Sequence, residues 1–444
     1  MRSRALVLFS TVLVLCACGE AANEPTGTGG AATGGQGPGQ GGAGGSDGGQ
    51  GGQGAQGGGG AGGDGGQGGE GGAPTTLDEL LDDLRADLDG ALLAQSRAEG
   101  WPAPVVNGEQ GAGHLFVSTN PSLTLLAGDH DGWTGTAMQT DQGFRWLWLE
   151  VDPGHAYKLT DGAVFEADPW ARAYLYDDFG ELSLVAPAVA HLERHFEVSG
   201  AGLLPRFVRV WVPQEPATHL LYAHDGQNLF DPGAIFGGWK LDESLPPAMM
   251  VVAIDNTPDR MAEYTHVPDD LGGGALGGKA DDHAQMLETV VRPLVAQHYG
   301  EPATLGVMGS SLGGLVSLYV ASQNPLDYTF AASLSGTMGW GSIGNGVTNT
   351  TMIDLWASLG HQPTALYVDS GGGGTCVDAD QDGIEDDGND SDNYCVNKQL
   401  EATLLSVGYQ ADLDFWHWHE PGAPHNEVAW SQRVWRPLSI FAGL

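Results

Sequence analysis

The sequence has few positively charged residues, and its N-terminal apolar run is shorter than a membrane-spanning helix. Lysine and arginine number 17 among 444 residues, against 56 aspartates and glutamates, so the net charge is −39. A surface this acidic repels nucleic-acid phosphates, which excludes a nucleic-acid-binding function. The apolar run over residues 5–15 is too short to cross a bilayer as a mature helix.

Cysteine is also scarce, with four residues at positions 16, 18, 376 and 395. Two of them follow the apolar run, which Arg2 and Arg4 precede, as in a secretory signal. A bacterial lipobox has a small residue directly before its cysteine. Ala17 before Cys18 meets this requirement, whereas Leu15 before Cys16 does not. We therefore predict that residues 1–18 are a lipoprotein signal and that Cys18 is lipidated. This anchor would hold the protein on the membrane of the cell envelope, at the outer membrane or cell surface, and a plain cleaved signal is the alternative.

Glycine is abundant but unevenly distributed. Of 72 glycines, 28 lie within residues 27–72, without a Gly-X-Y period, which excludes collagen. We interpret residues 19–74 as a disordered linker with a reach of about 35–40 Å. The acidic residues lie elsewhere, because residues 75–444 carry 51 acidic and 15 basic side chains.

The remaining chain divides into three predicted regions. Residues 75–111 contain an amphipathic helix, opened by a capping-box pattern at Thr76 and Glu79, and a linker. Residues 112–189 show short strands separated by turns, which favours a small β-sandwich. Residues 190–444 alternate strand candidates, such as Met249–Ile254, with helix candidates, such as Asp281–His298, which indicates a mostly parallel sheet covered by helices. The predicted fold class is therefore α/β, with a sandwich and a glycine-rich tether before the main sheet.

The segment Gly309-Ser-Ser-Leu-Gly-Gly314 matches the G-x-S-x-G pattern of a nucleophile elbow. A strand is predicted before it and a helix after it, as this elbow requires. Ser311 is the predicted nucleophile, and Ser310 is the neighbour one position too early. The backbone N–H of Leu312 would supply one half of an oxyanion hole, and Gln227, after an early strand, the other.

A serine nucleophile needs a base, and a histidine after Ser311 is expected to provide it. The candidates are His361, His417, His419 and His425. His425 is favoured because it lies in a loop directly before a predicted helix, where the base of such a site belongs.

These residues resemble the Putative esterase (esterase D) family of α/β-hydrolases, and the layout is similar to that of enterochelin esterases. The family-like stretches are residues 221–231, 260–264, 278–281, 309–315 and 421–430. The resemblance implies ester hydrolysis by Ser311 with His425 as the base. An insertion separates the strand end at Asp369 from the point where family-like sequence resumes. The resemblance therefore implies Asp392 as the triad acid, with Asp378 and Asp369 as alternatives.

The insertion is strongly acidic, with eight acids in residues 378–392. Its D-x-D-x-D-G pattern predicts a structural Ca²⁺ ion, since calcium prefers hard oxygen ligands. The predicted ligands are Asp378, Asp380, Asp382, Ile384 and Asp386. Because the protein is expected to be exported, we predict a disulfide between Cys376 and Cys395, which bracket this loop 376–395.

The predicted function is a secreted, lipid-anchored serine ester hydrolase that acts through a Ser-His-Asp triad and an acyl-enzyme. The predicted substrate is a small-molecule ester or an ester of siderophore or glycan type, and the protein is expected to be a monomer. No cofactor is expected for catalysis. Two alternatives stay open at this point: an acyltransferase of the same fold, and a non-catalytic surface-binding lipoprotein.

Overall fold

The computed structural model describes residues 75–344, 347–385 and 392–444. The predicted signal, Cys18 and the glycine-rich linker lie outside the described residues, and so does the predicted calcium ligand Asp386. Within the described part of the chain, no helix combines the length and apolar character needed to cross a membrane.

The secondary structure of the described residues begins with two helices, continues with strands, and ends with a region in which strands and helices alternate. The strands are β1 (Ala103–Asn107), β2 (Gly111–Ser118), β3 (Leu125–Gly128), β4 (Thr136–Ala137), β5 (Gln139–Thr140), β6 (Arg145–Leu149), β7 (His155–Thr160), β8 (Phe165–Glu166), β9 (Ala173–Asp177), β10 (Gly180–Val185), β11 (His191–Val198), β12 (Arg206–Val212), β13 (His219–His224), β14 (Met249–Ile254), β15 (Pro268–Asp269), β16 (Leu276–Gly277), β17 (Thr304–Ser310), β18 (Tyr328–Leu334), β19 (Ala365–Ser370) and β20 (Phe415–His419). The α-helices are Leu77–Ala86, Leu88–Ala98, Arg260–Glu263, Ala280–Met286, Arg292–Tyr299, Leu312–Gln323, Met352–Leu359, Tyr394–Ser406, Glu427–Arg433 and Trp435–Phe441, with a π-helical turn at Leu287–Val291.

The main sheet contains a parallel half built from the strands β20-β19-β18-β17-β13-β14, in that order. The inner strands of this half are almost entirely buried, and every residue of β14 is buried, whereas the edge strand β20 is only partly buried. Helices cover both faces of such a sheet, which explains the continuous apolar runs. The predicted mostly parallel sheet with α/β architecture is confirmed, and its topology is that of an α/β-hydrolase.

The same sheet continues into an antiparallel half through β12, which pairs with β14. Beyond it come β11, β9, β10, β7, β3 and β4, and a separate sheet has the order β1-β2-β6-β5. Phe116 of β2 and Tyr157 of β7 pack edge to face with ring centroids 4.8 Å apart. The small sheet therefore packs against the antiparallel half, as in a sandwich.

The structure differs from the predicted organisation at two boundaries. β11 begins at His191 and pairs with both β9 and β12, so the sheet crosses the boundary drawn at 189–190 without a break. In the region predicted as helix and linker, the capping box of Thr76 with Glu79 is present, but the helix ends at Ala86. Asp87 caps a second helix by accepting a hydrogen bond from the Gly90 amide.

The parallel strands end at one edge of the sheet, and their register brings the ends together. Ser310 lies beside Leu334, Leu334 beside Asp369, and Ser370 beside His419. The residues that directly follow these strands therefore share one edge. The carboxyl edge of a parallel sheet is where α/β proteins bind their ligands.

Candidate active site

Ser311 lies in a sharp turn between β17 and the helix Leu312–Gln323. Its φ of 56° and ψ of −125° are unusual for a residue other than glycine. The turn needs small neighbours, because a Cβ added to Gly309 would lie 2.5 Å from the backbone of Gly313. Ser310 instead ends β17 within the sheet. The geometry is that of a nucleophile elbow, with Ser311 at its tip.

His425 lies in the loop before the helix Glu427–Arg433 and contacts Asp392. Its Nδ1 is 2.6 Å from Asp392 Oδ1, and its ring packs edge to face on Trp430 at 5.0 Å. The His425 side chain is 19% exposed, whereas that of Asp392 is almost fully buried. This contact fixes one ring nitrogen and leaves Nε2 as the nitrogen that can take up a proton.

The other candidate histidines have different partners. His361 is 2.8 Å from Asp414, and His417 is 3.0 Å from Glu401. His419 Nε2 is 3.2 Å from the carbonyl oxygen of Gly372, at the edge of the sheet. Among the four, His425 is therefore the histidine that the structure joins to Asp392.

Asp392 is held by several donors besides His425. Its Oδ2 accepts hydrogen bonds from Ser335 Oγ at 2.6 Å and from the Gly371 amide, and Arg433 Nη2 lies 3.4 Å away. Burial would raise the pKa of Asp392, but the hydrogen bond with His425 and the charge of Arg433 outweigh it and lower the pKa. The carboxylate therefore stays ionised and faces His425.

The two alternative acids serve other purposes. Asp369 is fully buried and accepts hydrogen bonds from Arg433 Nε at 3.0 Å and from the Tyr367 hydroxyl at 3.0 Å. Burial, reinforced by nearby Asp392, raises the pKa of Asp369 to about 6 despite Arg433. Asp378 is exposed and accepts hydrogen bonds from the amides of its own loop. The structure thus brings Asp392, and neither alternative, to His425.

The two predicted oxyanion donors lie on neighbouring elements. Ala223 pairs with Met308, which brings the turn after β13 beside the elbow after β17. A Cβ on Gly313 would lie 3.1 Å from Asp225 Oδ2, so the start of the helix contacts this turn. Gln227 lies in the 3₁₀ helix Gly226–Asn228, and its side chain accepts a hydrogen bond from the Asn256 amide at 3.1 Å. That bond helps to fix the turn that carries the backbone N–H of Gln227.

Ser335, Trp430 and Arg433 belong to this site but were not found from the sequence. Ser335 follows β18, as Ser311 follows β17, and its hydroxyl accepts a hydrogen bond from Trp430 Nε1 at 3.0 Å. Two residues after Ser335, the backbone amide of Thr337 donates a hydrogen bond to the carbonyl oxygen of Ser311 at 3.3 Å. The position of Ser335 after a parallel strand is the signal that could have identified it. Arg433 and Trp430 are recognisable only once the fold is known.

The acidic loop 376–395 contains Asp392 near its end and is closed by a disulfide. Cys376 and Cys395 are bonded, with their Cα atoms 5.4 Å apart, which confirms the predicted pair. One carboxylate oxygen from each of Asp378, Asp380 and Asp382 lies within 4.8 Å of the others. Ile384, the predicted main-chain ligand, has its side chain in the main core cluster, which holds the loop against the domain.

Comparison with known proteins gives one family match and several distant structural similarities. A search of curated proteins found no match. Among solved structures, ferric enterobactin esterase from Salmonella typhimurium is 14% identical over 79% of this chain and 98% of its own, with a TM-score of 0.42. An IroE-like serine hydrolase from Shewanella oneidensis is 18% identical over 56% of this chain and 80% of its own, also with a TM-score of 0.42. Similarities this distant say nothing about the substrate.

The family match is more informative because it covers the elements that build the site. The family model described as "Putative esterase" matches residues 201–434. This range includes the elbow, the turn after β13, the acidic loop and the histidine loop. Since the matched range exceeds half of its length, the chain belongs to the Putative esterase family.

Proposed function

We propose that this esterase-family chain is a serine hydrolase in which Ser311 is the nucleophile, His425 the base and Asp392 the acid that orients His425. The observation that carries the proposal is the 2.6 Å contact between His425 Nδ1 and Asp392 Oδ1 at the sheet edge that also presents Ser311. No hydrogen bond joins Ser311 to His425 among the described residues. In unliganded hydrolases this bond is often long and tightens when substrate binds.

The proposed reaction has two halves. Ser311 Oγ attacks the ester carbonyl carbon while His425 Nε2 takes up the hydroxyl proton, and the carbonyl oxygen becomes an oxyanion. The backbone N–H groups of Leu312 and Gln227 would stabilise that charge. When the intermediate collapses, the bond to the alcohol breaks, and His425 donates its proton to the leaving oxygen. Water then attacks the acyl-serine with the same proton transfers and releases the acid.

Asp392 would act by holding His425 in one tautomer and by stabilising its charged form. A buried, ionised carboxylate on Nδ1 does both, because it accepts the Nδ1 proton and leaves Nε2 as the base. The lowered pKa of Asp392 supports this role, since the carboxylate keeps its negative charge at neutral pH.

The substrate of the proposed reaction is a small-molecule or glycan ester, and the acidic surface favours neutral or cationic ones. We also propose that Cys18 is lipidated and that the protein acts at the cell envelope. Labelling with radioactive palmitate would test the anchor, and a Cys18→Ser variant should lose the label.

We propose, in addition, a structural Ca²⁺ ion in the acidic loop. The convergence of three carboxylates within 4.8 Å, on a loop closed by a disulfide, supports it. The ion would neutralise the loop next to the segment that carries Asp392. It takes no part in the chemical steps.

The proposed serine mechanism can be tested by measuring the turnover of p-nitrophenyl acetate by fragment 75–444. The Ser311→Ala variant should reduce turnover to the level of buffer, while the neighbouring Ser310→Ala variant should retain measurable turnover. Thermal melting of each variant controls for folding. Equal rates for wild type and Ser311→Ala would exclude the serine mechanism.

A further inference from the structure

Glu427 carries a buried carboxylate oxygen that accepts no hydrogen bond from the residues that the structure describes. It is the first residue of the helix Glu427–Arg433, two positions after His425, and it is 2% exposed. Its Oε1 accepts a hydrogen bond from Asn228 Nδ2 at 3.3 Å. Its Oε2 is buried and makes no hydrogen bond within the described residues. Leaving a buried carboxylate oxygen unpaired is unfavourable, so such a group calls for a function.

The surroundings of Glu427 place it inside the proposed active site. Burial raises the pKa of Glu427, and Asp225 raises it further, while the backbone amide of Glu427 itself, His425 and Arg260 lower it. Arg260 already binds both oxygens of Asp225, at 2.7 and 2.8 Å. Glu427 therefore lies among charged groups that surround the proposed triad.

The chain positions on either side of Glu427 indicate which part of a substrate it would meet. Its partner Asn228 directly follows Gln227, the proposed oxyanion donor, and Glu427 itself follows the His425 loop. In the proposed reaction His425 donates its proton to the leaving alcohol oxygen, so the alcohol part of a bound ester would lie beside the His425 loop. A substrate group that approaches Glu427 would therefore belong to the alcohol part of the ester.

We infer that Glu427 binds a hydrogen-bond donor, a hydroxyl or ammonium group, on the alcohol part of the ester substrate. This inference rests on the proposed function and deepens it by naming a substrate class: esters of polyols or amino alcohols. A donor in this place would satisfy Oε2 and position the leaving oxygen for His425. Plain alkyl esters would leave Oε2 unpaired and would react more slowly.

Three butyrate esters of similar size test the inference: propyl, 2-hydroxyethyl and 2-(dimethylamino)ethyl butyrate, the last with a protonated amine at neutral pH. Wild-type fragment 75–444 should show at least tenfold higher kcat/KM for the two donor-bearing esters than for propyl butyrate. Glu427→Gln should keep the preference for the hydroxyl ester and lose that for the ammonium ester. Glu427→Leu should lose both, and Glu420→Gln, on the exposed part of the same loop, should change neither.

Two outcomes would overturn the inference while leaving the proposed function intact. One is wild-type protein that hydrolyses all three esters at equal rates, and the other is Glu427→Leu with wild-type ratios. If Glu427→Leu fails to fold in a melting experiment, Glu427→Gln decides, because a retained preference for the ammonium ester contradicts the role. Failure of the proposed function is distinguishable, because Ser311→Ala would then hydrolyse propyl butyrate as fast as wild type.

Discussion

Arg433 binds the two carboxylates that the sequence offers as rival triad acids. It donates to Asp369 through Nε at 3.0 Å and approaches Asp392 through Nη2 at 3.4 Å. Ser335 lies in the same cluster and donates to Asp392. One cation thus stabilises two buried anions, and only the outer one contacts His425. The inner one, Asp369, supports the arrangement from behind.

We predict that Asp392→Asn and Asp369→Asn differ sharply in their effect on turnover. Asp392→Asn should lower kcat by about 10³–10⁴-fold with little change in KM, because His425 loses its orienting anion. Asp369→Asn should lower kcat less than about tenfold at a permissive temperature. Steady-state kinetics of both variants on p-nitrophenyl acetate measures this. A reversed order would assign the acid to Asp369.

We also predict a pH-dependent difference in stability between wild type and Asp369→Asn. The pKa of Asp369 is about 6 in the folded protein, above the usual 3.8, so folding takes up a proton between these values. As pH falls from about 7 to about 4, wild type should gain on the order of 1–3 kcal/mol relative to the variant. Urea unfolding at several pH values tests this, and a difference independent of pH would contradict it.

At the scale of residues, local motifs identify Ser311 and His425 but miss their supporting groups. Ser311 is predicted because a strained turn requires glycines on both sides, and that requirement is written in adjacent positions. The contact between Arg433 and Ser335 joins residues 98 positions apart. Such contacts depend on how distant segments pack, and no local pattern specifies them. Glu427 was missed for the same reason.

At the scale of elements, the sequence predicts the parallel strands well because burial on both faces makes them continuously apolar. The strand predicted at Met249–Ile254 has the same bounds in the structure. The helix predicted over 281–298 is instead interrupted by the π-helical turn Leu287–Val291. Pro293, just beyond this turn, has no N–H to donate to the preceding turn, so the regular hydrogen-bond pattern cannot continue there.

The disulfide that closes the acidic loop should stabilise the fold measurably. Replacing Cys376 and Cys395 together by serine releases a loop with a sequence separation of 19 residues. We expect the free energy of unfolding to fall by about 3 kcal/mol in the chain-entropy model. Denaturant unfolding of the double variant under oxidising conditions measures the loss. An unchanged unfolding midpoint would show that the bond does not constrain the unfolded chain.

Removal of calcium should lower the melting temperature and turnover if the acidic loop binds the ion. Removal of the ion by EGTA would increase the repulsion among the carboxylates of Asp378, Asp380 and Asp382, and this repulsion would strain the loop before Asp392. Differential scanning fluorimetry with EGTA, followed by added CaCl₂, tests this. A variant with Asp378 and Asp382 replaced by asparagine should no longer respond. Wild-type protein that is indifferent to EGTA in both assays would exclude the ion.

At the scale of the whole molecule, one sheet joins what the sequence divides into a sandwich and a hydrolase. Leu192 of β11 pairs with Tyr174 of β9, and both side chains belong to one core cluster. The change of pattern near residue 190 falls within the antiparallel half, and parallel pairing begins with β13. The alternation of strands and helices predicts the parallel half, but it does not show whether two strands from different regions pair.

We therefore predict that fragment 190–444 is much less stable than fragment 75–444. Without β9, the edge of β11 is exposed and Tyr174 no longer fills its core position. The shorter fragment should melt at least about 10 °C lower or aggregate on expression. Circular dichroism melting and size-exclusion chromatography compare the two. Equal melting temperatures would show that the hydrolase part folds independently.

The segment 425–433 supplies His425, Trp430 and Arg433, whereas Ser311 is encoded more than a hundred residues earlier. During biosynthesis the serine therefore emerges from the ribosome long before the groups that would activate it. A nascent or truncated chain that ends before this segment would contain the proposed nucleophile without the proposed base. On the proposed mechanism, the order of residues in the gene would therefore delay hydrolytic activity until the site can be assembled, without a separate inhibitor.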